Sequence, residues 1–173
     1  ASDVYKRQMF KIKLLISLLI SLIVLSCTST NTPNNKAKYS LGYVGGEYDG
    51  LILYNNLDTH LSNYGMIDNN SRYEIRSSIG HTTGVYVTNI DNTSNRESVT
   101  SKIALIIYDK ELNCTAYSYN NKIYQFYIFS SNEQFISNKT ALKKIKEENT
   151  EELVKKFTNT LMYENVECEE KKK

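Results

Sequence analysis

From Tyr73 to Phe129 the apolar side chains abandon the four-residue rhythm that precedes them and alternate instead, and this switch limits the fold more than any other feature of the chain. Tyr73, Ile75 and Ile79 alternate with Glu74 and Arg76, and Val85 and Val87 resume the pattern towards Ile90 beyond Gly80 and Gly84. The pattern predicts one long bent strand. After a polar loop at Asp91 to Glu97, Val99, Ile103, Leu105 and Ile107 line one side of the next strand. Ala104, Ile106 and Tyr108 line its other side, so it is expected to be central and covered on both faces. Asp109 to Glu111 make a turn, and the aromatic-rich run Cys114 to Phe129, interrupted by Asn120 and Asn121, is expected to pair antiparallel with the strand before it.

Helical patterns flank this block. Leu53, Leu57, Leu61 and Tyr64 recur on one face, with Asp49 as the expected N-cap and Gly65 as the stop. Leu142, Ile145, Leu153, Phe157 and Leu161 give a long amphipathic helix starting near Asn138, with Lys and Glu on its other side. A short strand at Tyr39 to Val44, ended by Gly45 and Gly46, completes the order strand, helix, three strands, helix. The expected fold class is α+β: a small, mostly antiparallel or mixed sheet with both helices packed on one face.

The N-terminal part reads differently. Ala1 to Gln8 precede the first methionine and are expected to be a non-native extension. Residues 9–26 have the pattern of an export signal, with Lys11 and Lys13 before an apolar run from Leu14 to Leu25 that is short for a membrane span. The run closes on Val24, Leu25, Ser26 and Cys27, which resembles the lipobox of bacterial lipoproteins: an aliphatic residue three before the cysteine, a small one just before it, then the cysteine that is acylated. Cys27 is therefore the expected lipid attachment site. Two or more acyl chains there would anchor the chain firmly, at about 0.8 kcal/mol per buried methylene. Residues 27–38, rich in Ser, Thr and Asn, read as a flexible tether. Residues 39–163 are the expected globular domain, and 164–173 a charged tail.

Charge and cysteine usage narrow the chemistry. A net charge of +2, with no basic block interleaved with aromatics, argues against a nucleic-acid partner. Cys114 and Cys168 remain once Cys27 is acylated, and in an oxidising compartment two such thiols could pair. Their spacing fits no zinc pattern, and His60 and His81 have no companion ligands at characteristic intervals, so neither metal nor cofactor is expected. Cys114 with His60 or His81, or scattered carboxylates, are the candidates for a nucleophile or an acid and base pair, and no motif supports any of them; no catalysis is expected. The Asn-X-Ser/Thr triplets at Asn69, Asn92, Asn113 and Asn138 carry no weight behind a bacterial lipobox.

Behind the lipobox, the element order resembles the lipopolysaccharide-assembly lipoprotein family LptE. The resemblance is carried by Leu51 to Leu61 as the first helix, Tyr73 to Ile75 opening the long strand, Asn95 to Val99 as its polar corner, Ile103 to Asp109 as the next strand and Thr140 to Leu161 as the closing helix. It implies an outer-membrane lipoprotein that sits inside the lipopolysaccharide-exporting barrel LptD, helps it assemble and binds lipopolysaccharide. The positions that match the family's basic ligand-binding residues are Arg96 and Lys139. Two such cations could make charge-assisted hydrogen bonds to lipid phosphates. Lys143, Lys144 and Lys146 read as the solvated face of the last helix. The rival reading is a lipid-anchored module that binds another envelope protein and has no connection with lipopolysaccharide.

Overall fold

The computed structural model describes residues 37–86, 96–128 and 135–168. Six elements follow in the expected order: β1 (Tyr39–Gly45), α1 (Glu47–Asn63), β2 (Tyr73–Tyr86), β3 (Arg96–Asp109), β4 (Cys114–Ile128) and α2 (Phe135–Leu161). The strands form one mixed sheet in the order β1-β2-β3-β4, with β1 parallel to β2 and the other pairs antiparallel. A parallel pair needs a crossover, and α1 supplies it.

Alternation decides which side chains meet the helices. Ile75, Ile79, Ile103, Leu105 and Ile107 point from the sheet into one core, where Leu53, Leu57 and Leu61 of α1 and Leu153, Val154, Phe157 and Leu161 of α2 meet them. Each fully buried side chain of this size contributes about 1.5 to 3 kcal/mol relative to an exposed one. Phe157 packs on Tyr119 with ring centroids 5.3 Å apart. In α2, where Thr150 and Thr158 are buried among these residues, the hydroxyls donate back to the carbonyls of Lys146 and Val154 at 2.7 and 2.9 Å.

Several details depart from expectation. Helix α1 starts at Glu47 instead of after Asp49: Gly46 takes the cap position at φ 118°, where a Cβ would stand 2.8 Å from the Ile79 carbonyl oxygen, so only glycine fits there. Asp49 lies in the first turn, where its charge favours the helix dipole. Tyr64, placed on the apolar face by its spacing, is exposed because the helix ends at Asn63. Strand β2 is, as expected, one long strand through Gly80 and Gly84, in unbroken register with β3, whereas β4 passes through Asn120 and Asn121 without interruption. The Asn121 side chain donates to the Tyr119 hydroxyl and accepts from the Lys122 amide, which ties it down inside a strand. Strand β3 is central, but among the described residues only one of its faces is covered, and Ile106 on the other is 40% exposed. The packed unit also runs beyond residue 163, since Val166 joins the core and Cys168 is bonded to Cys114.

Candidate functional site: the sheet face turned away from the two described helices

Both helices lie against one side of the sheet, so the even-numbered residues of β2, β3 and most of β4 face away from them. The register lays these residues out in rows across three strands. Gly84, Ser98 and Phe126 form one row; Thr82, Thr100 and Tyr124 the next; then Gly80, Lys102 and Lys122; then Ser78, Ala104 and Asn120; then Arg76, Ile106 and Ser118. Successive rows stand about 7 Å apart and neighbouring strands about 5 Å.

The chemistry of this face is mixed. Tyr124, Phe126 and Ile106 are 62%, 48% and 40% exposed, and the Tyr124 and Phe126 rings meet edge to face at 5.8 Å. Arg76 is ion-paired with Glu74 at 2.6 Å and lies over the Tyr108 ring, 4.2 Å from its centroid. Between these aromatic and basic ends the small residues Ser78, Gly80 and Ala104, with Lys102, Asn120 and Lys122, line a depression of about 830 Å³. A Cβ built on Gly80 would meet nothing within 4 Å, so the floor of the depression is open there. Such a face can bind an amphipathic partner; nothing in it resembles an acid and base pair held for catalysis.

The residues singled out from sequence scatter around this face. Arg96 opens β3, is exposed, and belongs by register to the same side as Lys102, about 20 Å further along the strand. Lys139 lies in the second turn of α2 and is exposed. Asn149 touches Ser101, while Phe157 touches Tyr119 opposite Leu105, so α2 runs in the direction of β3 and Lys139 sits at the end where Arg96 begins that strand. The sheet nevertheless separates the layers to which the two belong. Lys143 and Lys144 pair with Glu147 and Glu148 one turn on, and Lys146 reaches across to Asp49 of α1 at 3.6 Å. Cys27 lies outside the described residues.

Cys114 and Cys168 are joined by a disulfide with Cα atoms 6.1 Å apart, which removes Cys114 as a free nucleophile in this structure. Asp109 lies with these sulfurs, all three ligand atoms within 4.8 Å of one another, yet Arg72 and two backbone amides already engage its carboxylate. His60 is in the last turn of α1. His81 is buried between sheet and helices: its Nδ1 is 2.7 Å from Ser101 Oγ, which also accepts from Asn149 Nδ2 at 3.0 Å, and its Nε2 is 3.9 Å from Asp49. Burial pushes the His81 pKa down, and Lys146 adds to this while Asp49 opposes it. The serine, histidine and aspartate stand in sequence, but Ser101 is fully buried, so the cluster joins β2, β3, α1 and α2 internally.

Lys102 and Lys122 were not singled out by spacing within either strand. Alternation assigns each to the polar side of its own strand; only the register between β3 and β4 brings them face to face.

No family model and no curated protein sequence matches the chain. Solved structures do. The domain is similar to lipoprotein B of Nitrosomonas europaea (TM-score 0.58, 10% identity, 73% of this chain and 82% of that one). It is similar to a minor lipoprotein of Acinetobacter baumannii (TM-score 0.55, 13% identity, 75% and 93%). Rare lipoprotein B of Shewanella oneidensis gives a TM-score of 0.54 at 8% identity, over 70% and 92%. At such identities the likeness is one of fold: the α+β arrangement built here is shared with bacterial lipoproteins.

Proposed function

We propose that this chain is a lipid-anchored envelope protein, held to the outer membrane through acyl groups on Cys27, that helps assemble the lipopolysaccharide-exporting barrel LptD and binds lipopolysaccharide during its delivery to the surface. The observation that carries the reading is the bare sheet face with its exposed Ile106, Tyr124 and Phe126, on a fold shared with bacterial lipoproteins. An exposed aromatic and aliphatic strip is a surface that a partner covers. The lipobox ending at Cys27 supports attachment to a membrane, and the resemblance of the element order to the LptE family supports the choice of partner. The role is one of binding and assembly, without catalysis.

A pull-down tests this. Full-length tagged protein is solubilised from an envelope fraction in detergent, beside a Cys27→Ala control, and its partners are identified by mass spectrometry. Recovery of a large β-barrel protein is the expected result, since a plug buries far more than the roughly 1,600 Å² of an ordinary interface. Recovery of the lipoprotein alone, or with soluble envelope proteins, overturns the barrel role.

A further inference from the structure

Lys102 and Lys122 occupy the same row of the bare face, directly opposite each other on adjacent strands. Like charges in this position disfavour the sheet. Among the described residues neither lysine has an ion pair, and no acidic residue occurs in the rows from Gly84, Ser98 and Phe126 to Arg76, Ile106 and Ser118. The third residue of the lysine row is Gly80, where a built Cβ would meet nothing within 4 Å, so no side chain of β2 fills that end of the row. Ser78 and Asn120 in the next row add a hydroxyl and an amide at the edge of the same depression.

From this geometry we infer that Lys102 and Lys122 form a subsite for the phosphomonoester group of an amphiphile, separate from Arg96 and Lys139. Charge complementarity selects the group. A phosphomonoester carries between one and a half and two negative charges near neutral pH, matching two cations, whereas a carboxylate or a phosphodiester brings one. The surroundings select the rest of the ligand: Thr100 and Tyr124 fill the adjacent row, Phe126 the one after, and Ile106 flanks the opposite side. An alkyl or acyl chain leaving the phosphate in either direction finds apolar contact. This inference rests on the proposed envelope role only for access to such lipids; the site itself rests on the lysine row.

The test uses the full-length chain in phosphatidylcholine nanodiscs and three water-soluble probes: hexyl phosphate, inorganic phosphate and hexyl glucoside, each titrated by calorimetry. Hexyl phosphate should bind more tightly than inorganic phosphate, and hexyl glucoside should show no binding. Lys102→Ala with Lys122→Ala should weaken hexyl phosphate at least about tenfold, as the loss of two charge-assisted contacts requires, while the charge-preserving Lys102→Arg with Lys122→Arg retains it. Gly80→Leu, which fills the floor and keeps both charges, should weaken it as well. The alanine pair should be no less stable to urea than the parent, because a like-charge contact has been removed.

Unchanged hexyl phosphate binding in the alanine pair overturns the subsite. Equal affinity for inorganic and hexyl phosphate overturns the amphiphile and assigns the pocket to the free ion. Barrel recovery in the pull-down is read separately: an alanine pair that recovers the barrel yet binds hexyl phosphate like the parent sinks this inference alone, whereas a parent that binds hexyl phosphate and recovers no barrel sinks only the barrel role.

Discussion

Arg72 donates through Nε to Oδ2 of Asp109 at 2.8 Å, fastening the residue before β2 to the last residue of β3. Asp109 is 1% exposed, and its other oxygen accepts the amides of Glu111 and Leu112 at 2.9 and 3.0 Å, so one carboxylate closes both the ladder and the turn into β4. The hydrogen bond from Arg72 holds its pKa down at about 2; burial opposes this, and the turn amides assist. A depressed carboxylate contributes stability that is complete above its unfolded value near 3.9 and is lost as pH falls through the folded value. Asp109→Asn should therefore cost about 2 kcal/mol at neutral pH. Its urea midpoint should converge on that of the parent between about pH 4 and pH 2. A constant gap across that window would contradict the linkage.

His81, like Asp109, loses its contribution on acidification, but because its ring must stay neutral. Its folded pKa is lowered, chiefly by burial, so the neutral ring is the form the fold accepts. The contribution is complete above the unfolded value near 6.5 and declines as pH falls through the lower folded one. Asp49 from α1 and Lys146 from α2 are the charged groups facing the ring, and they act with opposite sign. His81→Asn should lose about 1 kcal/mol at pH 7.5, through the Ser101 contact, and should flatten the mild-acid decline in urea midpoint seen for the parent. An identical decline in both proteins would exclude His81 as its source.

The disulfide closes a loop between residues 54 apart in sequence. Chain entropy sets its stabilisation at up to about 4 kcal/mol. Cys114→Ser with Cys168→Ser should lower the melting temperature by about 10 °C, and reductant should lower the parent to the same value. A parent indifferent to reductant would show that the pair is not formed in solution.

Tyr124→Lys with Phe126→Lys tests the bare face against the proposed barrel contact. Both side chains are partly exposed and lose their edge-to-face contact, so urea stability should fall by about 1 kcal/mol, too little to unfold the domain. Recovery of the barrel in the pull-down should fall at least tenfold if this face is covered by it. Undiminished recovery would move the contact elsewhere on the domain.

Periodicity exposes the element order because each element buries only one side: Leu53, Leu57 and Leu61 stand one turn apart, while Ile103, Leu105 and Ile107 alternate. It misreads β3 for the same reason. The run from Ile103 to Tyr108 is apolar at every position, which suits a strand buried on both faces, yet Ile106 stays 40% exposed because both described helices pack on the other side of the sheet. The start of α1 is misplaced because a capping side chain is easier to see in a sequence than a glycine in a left-handed conformation at Gly46. The lysine row is invisible for a geometric reason, since Lys102 and Lys122 belong to different strands and meet only through a register that a one-residue slip would destroy.

The bond between Cys114 and Cys168 gives the domain a direction under load. Any force applied between the start of β1 and a point beyond Cys168 bypasses the covalently closed segment, which includes β4 and α2 and would otherwise extend by about 180 Å. The edge strand β1, paired along its length with β2 and tied elsewhere only at Tyr39 to the segment around Ile67 among these backbone pairings, lies first in the path of tension entering at Tyr39. Pulling from that end should strip β1, then α1, and then work inward through β2 and β3, leaving β4 and α2 inside a ring that the force cannot open.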